Sequence, residues 1–410
     1  MRSKSGGKVW LAVLGAAAVL FVVASFGQVQ SRQVTELSSR IEVARPEYKA
    51  AEAVTIRYTL TNTAGTAQTV LKWGTPLEGF NGDIFRVTAD GKPVVYTGRV
   101  VKRGAPLPEE YVTLAPGGSA SADVDLAQAY DISDVGDYSV EFSSKVMDLG
   151  AGTPADLASR KTYAAFAPKT LRSNVATFKL TERRPRLERL MKGPEEEPPG
   201  LKTPVFTGCT ETRKSTLTTA LNNAQTYAAS AQIALASVTP SAATKCPRYP
   251  EWFGAYDAAR LATVTDHFNK IADALNNKTI TFNCGCNENY YAYVYPTKPY
   301  EIYLCNLFWS APEKGTDSQF GTIIHEVSHF NVVAGTDDHV YGQSGCRSLA
   351  TSNPSWAIEN ADSHEYFAEN TPSLNCGLEL AFISLGLTLL AISVYGLVRG
   401  RRRMVFSKQS

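Results

Sequence analysis

A His-Glu-x-x-His run inside an apolar segment is the feature that most limits what this chain can fold into. It reads His325-Glu326-Val327-Ser328-His329, within the stretch from Phe320 to Gly342. Residues four apart on a helix share a face about one turn apart, so both imidazoles can reach one zinc ion. Glu326 then lies beside the metal's open position, placed to take a proton from water. Ile323, Ile324, Val327 and Phe330 form an apolar stripe that predicts burial of one helix side, with His325 and His329 facing an interior cleft. The chain has five histidines, and residue frequencies put a chance match at roughly one in a few hundred. That favours a metal site over a solvated helix face whose histidines pair with nearby acids. The pattern alone leaves the third ligand open. Val332 and Gly335 stand where a metzincin needs glycine and histidine, and a thermolysin-like site would draw on Glu359 or Glu365.

The remaining sequence divides by composition. At 410 residues with a formal net charge of +2, the chain has room for two domains and shows no basic stripe suited to nucleic acid. Residues 1–27 carry Arg2, Lys4 and Lys8, then an apolar run from Val9 to Phe26. This is the layout of a signal peptide or, given its length, of an uncleaved signal anchor, and either predicts export. Residues 34–182 read as an all-β, Ig-like sandwich. Val54, Ile56, Tyr58 and Leu60 alternate with polar residues, as do Tyr138, Val140 and Phe142, and Asp90-Gly91 and Pro116-Gly117-Gly118 mark turns.

Residues 183–204, with charge blocks and prolines, read as an extended linker open to proteases. Residues 205–373 read as an α+β domain: helices over Thr212–Ser237 and Ala255–Asn276, short strands at Thr279–Asn283, Tyr290–Tyr295 and Tyr300–Leu304, the motif helix, and a helix over Ser355–Glu369. All seven cysteines, at 209, 246, 284, 286, 305, 346 and 376, fall in or just after it. In an exported chain that predicts disulfides. The apolar run at 378–398, followed by the basic tail 399–410, is long enough to span a bilayer with its arginines inside. It reads either as a permanent anchor or as a sorting signal that is removed; Cys376-Gly377 just ahead of it resembles bacterial C-terminal sorting tails.

Several separate blocks agree in order with one known family. His325 to His329, Gly335-Thr-Asp-Asp338-His-Val-Tyr341-Gly342, Asn360-Ala-Asp362-Ser-His-Glu365, Tyr249-Pro-Glu-Trp252-Phe253-Gly254 and Gly315-Thr-Asp-Ser-Gln319 together resemble the deuterolysin family of aspartate-zincins, and within it the peptidyl-Lys metalloendopeptidases. The likeness covers roughly residues 205–372. It implies a zincin-like metalloprotease domain following the β-sandwich, one Zn2+ held by His325, His329 and Asp338, Glu326 as general base, and Tyr341 as oxyanion donor. It also implies that Asp362 and Glu365 hold a substrate lysine, so that cleavage falls on its amino side. Taken alone, those two acids three apart on a helix would be a solvated face. The resemblance further implies disulfides Cys209 with Cys284 and Cys286 with Cys305. Cys246 and Cys346 remain and are expected to join each other, leaving Cys376 over.

The partners this predicts are protein or peptide substrates, a membrane through the apolar termini, and no nucleic acid. Because the β-sandwich precedes the enzyme, it is expected to serve as a pro-domain that covers the cleft, with Lys192 and Lys202 in the linker as sites of self-processing. Two other readings stay in view: a broader deuterolysin-like protease, and a surface adhesion or scaffold protein whose zinc site is structural. The last has no use for Glu326 beside an open position.

Overall fold

Alternating apolar residues give the N-terminal half its sheets. The computed structural model describes residues 36–159, 168–185, 202–240 and 247–374, and in it the strand Thr55–Asn62 buries Ile56, Tyr58 and Leu60 on one face. It lies between Leu37–Val43 and Ser119–Asp125, antiparallel to both. A second sheet runs Glu47–Tyr48, Lys169–Leu180, Gly136–Val146, Phe85–Ala89, Lys92–Pro93. The two sheets bury a common core, where Tyr58 meets Phe142 with ring centroids 4.8 Å apart. The Asp90-Gly91 turn joins the last two strands with both residues at positive φ, 47° and 77°, a backbone that glycine adopts without strain.

The C-terminal half is α+β, as the sequence predicts. Thr210 caps the helix Glu211–Ala236 by accepting from the Arg213 N–H, satisfying one of the free donors of its first turn. Its buried face is mostly small: Ala220, Ala224, Ala228, Ala231 and Ala234 lie inward with Leu217 and Leu221. Small residues at helical spacing let neighbouring backbones approach, and Tyr227 stacks on Phe320 of the motif helix with centroids 4.1 Å apart. A second helix, Ala258–Asn277, buries Val264, Phe268 and Ile271 in the same core. Disulfides join Cys209 to Cys284 and Cys286 to Cys305. The first ties the strand Val205–Thr207 to its neighbour Thr281–Asn283.

Three features depart from the sequence-based expectations. The helix expected over Ser355–Glu369 is two, Pro354–Ala357 and Ala361–Glu369. It breaks at Asn360, whose side-chain oxygen is taken by the His339 and Val340 N–H groups at 2.8 and 3.0 Å. Cys346 is a buried free thiol, not the partner of Cys246. It sits inside the helix Gly342–Ser352, packed in the core, with the Asn360 amide 3.4 Å from its sulfur; Cys246 lies outside the described residues. The third departure is topological. Among the described residues the sheet of the C-terminal half has five strands, in the order Val205–Thr207, Thr281–Asn283, Glu301–Leu304, Tyr290–Val294, Val100–Arg103. Its last strand comes from the segment expected to belong wholly to the N-terminal sandwich.

No helix among the described residues is long and apolar enough to cross a membrane. The segments 1–27 and 378–398, most of the linker (186–201) and Cys376 lie outside the described residues.

Candidate active site

The motif helix Gln319–His329 is buried along its whole length. Ser318 caps it by accepting from the Gly321 N–H at 3.0 Å, and Ser318 is held in turn by Glu369, whose Oε1 accepts from its N–H and its hydroxyl at 2.7 Å each. Gly321 lets these groups come close. A Cβ there would lie 2.2 Å from Glu369 Oε1 and 3.0 Å from Glu365 Oε1.

One turn apart on this helix, His325 and His329 bring their Nε2 atoms to 3.1 Å. Asp338 reaches them from the following loop, with Oδ1 3.3 Å from His325 Nε2 and Oδ2 3.6 Å from His329 Nε2. The loop is anchored where it must turn: the Thr336 N–H bonds the Ser328 carbonyl and the Gly335 N–H bonds that of Phe330. The Thr336 carbonyl lies 2.8 Å from His329 Nδ1, which directs the other nitrogen inward. On His325, Nδ1 lies 2.8 Å from Asp362 Oδ1. His325, His329 and Asp338 each offer one atom to a common point within ion-binding distance. Asp338 Oδ1, deeply buried, has no hydrogen-bond partner. Two imidazoles and one carboxylate, with an unsatisfied buried oxygen on that carboxylate, form a donor set suited to zinc.

Glu326 is fully buried with neither carboxylate oxygen hydrogen-bonded. Burial pushes its pKa up to about 8, the direction expected when the charged form loses water. Tyr341 packs edge-on against Trp73, and its hydroxyl has two acceptors in reach, the Val101 carbonyl at 2.8 Å and Asp338 Oδ2 at 3.0 Å. His339 stands apart from the ligand atoms. It stacks on Trp356 at 5.2 Å and contacts Lys145.

The strand Val100–Arg103 runs antiparallel to Tyr290–Val294, with Lys102 opposite Ala292 and Val101 opposite Tyr293. All four of its residues are buried. Lys102 is 0% exposed, and its Nζ lies 2.6 Å from Glu365, 3.2 Å from Asp362, 3.7 Å from Asp317 and 5.1 Å from the Tyr291 ring centroid. Burial alone would lower the Lys102 pKa, but the three carboxylates outweigh it and hold the ammonium well above its usual range. Asp362 shows the converse: burial would raise it, and Lys102 and His325 hold it below the usual carboxylate range. Its second oxygen accepts from the Gly342 N–H at 2.7 Å. The acids expected to form a lysine pocket thus face a lysine of the same chain.

Sequence reasoning gives no role to Lys102 or Gly321, and it has Asp317 and Tyr291 only within the blocks Gly315–Gln319 and Tyr291–Pro296 that carry the family resemblance.

Residues 238–369 match the family model described as lysine-specific metallo-endopeptidase. An extracellular protease of Aeromonas hydrophila is 42% identical over 327 residues, covering 78% of this chain and 89% of its own, a span that takes in the N-terminal β region as well. A peptidyl-Lys metalloendopeptidase of Pleurotus ostreatus is 51% identical over 170 residues, covering 41% of this chain and 98% of its own. A solved zinc peptidase from Grifola frondosa is 41% identical, covers 41% of this chain and all of its own, and has a TM-score of 0.38.

Proposed function

The chain belongs to the family of lysine-specific metallo-endopeptidases, and from that premise we propose that it is an exported zinc endopeptidase cutting proteins on the amino side of lysine, synthesised with its N-terminal β region as an inhibitory pro-domain. The observation that carries the reading is the seat of Lys102 among Glu365, Asp362 and Asp317. An ammonium stripped of water is stabilised only by charges placed around it, so the pocket is built for a lysine side chain. A broader specificity would not need two buried carboxylates and a third, partly exposed one around a single point.

In this reading His325, His329 and Asp338 hold the zinc. When bound, zinc supplies Lewis acidity that polarises the scissile carbonyl and makes water more acidic. Glu326 accepts the proton from water and returns it to the leaving amine; its unpartnered, buried oxygens and raised pKa suit a base that must also act as an acid. Tyr341 donates its hydroxyl to the carbonyl oxygen as charge builds there. Substrate extends along Tyr290–Val294 as an added strand, which fixes the register by main-chain hydrogen bonds and leaves the lysine to the pocket. Export rests on the N-terminal apolar segment and the extracellular relative; anchoring through 378–398 remains part of the proposal.

Latency follows from the same geometry. The Val100–Arg103 strand lies where a substrate would, and Lys145 of the same β region reaches the ligand loop, 3.2 Å from Asp337. The test is digestion of a denatured protein by the processed enzyme, with the new termini sequenced. Cuts before lysine are expected, and cuts before apolar residues would overturn the specificity.

A further inference from the structure

The Val100–Arg103 segment makes three contacts expected of a bound substrate. It adds as an antiparallel strand to Tyr290–Val294, its lysine fills the pocket, and the carbonyl preceding that lysine, Val101 O, accepts from the Tyr341 hydroxyl at 2.8 Å. An inhibitor that merely blocked the cleft would need only bulk. Here the residue in the pocket and the carbonyl on the tyrosine are neighbours, as they must be if the bond between them is the one to be cut. A cavity of about 100 Å³, large enough for a water molecule, borders Val100, Asp338 and Tyr341.

We propose that the Val101–Lys102 peptide bond is itself a substrate, hydrolysed in place by the active site it fills, and that the nicked chain stays docked. This rests on the reading of the chain as a lysine-directed endopeptidase. Water adds its oxygen to the Val101 carbonyl carbon, Glu326 takes the water proton, and the C–N bond to Lys102 breaks. The proton passes to the Lys102 nitrogen, leaving a carboxylate on Val101 and an amine on Lys102. No oxidant or further reactant is needed.

The nick does not release the inhibitor, because the strands on its two sides are interleaved. Thr55–Asn62 pairs with Ser119–Asp125, Gln68–Leu71 with Tyr111–Leu114, and Phe85–Ala89 with Gly136–Val146, each pair crossing the cut. The new ends are also held. Arg99 makes two hydrogen bonds to Glu288, at 2.7 and 3.1 Å, and Arg103 bonds Glu78 at 2.8 Å. Ends fixed in this way face each other at high effective concentration. The nicked chain is therefore still latent, and activation requires a second event that removes the β region. The linker lysines, Lys192 and Lys202, are not the first bond cut.

The experiment uses the full chain purified without zinc and then loaded with it. Amino-terminal labelling after denaturation is expected to reveal a new terminus at Lys102, formed at a rate independent of protein concentration, while native sizing still shows one species. The terminus should be absent in Glu326→Gln and reduced at least about tenfold in Lys102→Met, whose side chain cannot satisfy the buried carboxylates. If the Lys102 substitution impairs folding, the zinc-free wild type gives a readout independent of activity: the Lys102 amine should resist acylation that modifies exposed lysines.

A rate that scales with concentration, an intact Val101–Lys102 bond, or an acylated Lys102 overturns the proposal. An added denatured protein separates the two levels. If it is cut before lysine while Val101–Lys102 stays whole, the inference fails and the function stands. If it is cut elsewhere, the function fails, and a zinc-loaded chain that cuts neither itself nor the added protein overturns both.

Discussion

Asp362 places its Oδ1 against both His325 Nδ1, at 2.8 Å, and the Lys102 ammonium, at 3.2 Å, while its Oδ2 holds the Gly342 N–H. One carboxylate therefore contacts both a proposed metal ligand and the buried Lys102 ammonium. Glu365 lies closer to the ammonium and farther from the imidazole, at 2.6 and 3.3 Å. Glu365→Gln is accordingly expected to lower kcat/KM for lysine substrates by on the order of a hundredfold, mainly through KM. Asp362→Asn should lower kcat as well, and steady-state kinetics on a lysine peptide distinguishes the two. Glu326→Gln should reduce kcat by about 10² to 10⁴ with zinc content unchanged, measured by metal analysis beside the rates. The motif residues were legible because helix periodicity places His325 and His329 without knowledge of anything distant. Asp338, Tyr341 and the two pocket acids needed the family resemblance, since a loop ligand has no period. Lys102 was not legible at all: its contact with Asp362 spans 260 residues of sequence, and Val-Val-Lys-Arg carries no local signal for the sheet it joins.

At the scale of elements, the motif helix and the helix Ala361–Glu369 pack so closely that Gly321 has no room for a side chain. Gly321→Ala is expected to destabilise by about 1–3 kcal/mol, because Glu369 is already committed to Ser318 and cannot swing aside without giving up the helix cap. A fall in melting temperature checks this, and an unchanged value would mean the two carboxylates yield freely. Apolar periodicity located the main helices of this half to within a few residues. It did not find the break at Asn360, since Ser355 to Glu369 reads as one helix until the ligand loop is seen to need the Asn360 side chain. The same holds for Cys346, where counting cysteines left a pair to be assigned and the core kept the thiol.

At the scale of the whole molecule, the β region and the enzyme meet through Lys102 at the pocket and Lys145 at the ligand loop, so docking is expected to respond to pH through Asp362. The folded pKa of Asp362 is depressed, and its contribution is therefore present above the ordinary aspartate value near 4 and lost as pH falls below it. Lys102 is raised, so its charge persists through neutral pH and sets no limit there. Acidification below about pH 4 should speed hydrogen exchange of the Val100–Arg103 amides before the core unfolds; equal protection at pH 3 and pH 7 would show that charge does not hold the strand. Two regions and their order along the chain could be read from composition, because alternation and helix periods are local. Their shared sheet could not, because strand insertion is a tertiary choice. That insertion has one more consequence. Tyr290–Val294 is flanked by Glu301–Leu304 on one side and by Val100–Arg103 on the other, so removing the β region leaves a bare sheet margin with a row of unsatisfied amides and carbonyls. A margin of that kind is open to another copy of the chain, so the proposed removal of the β region would carry a risk of self-association.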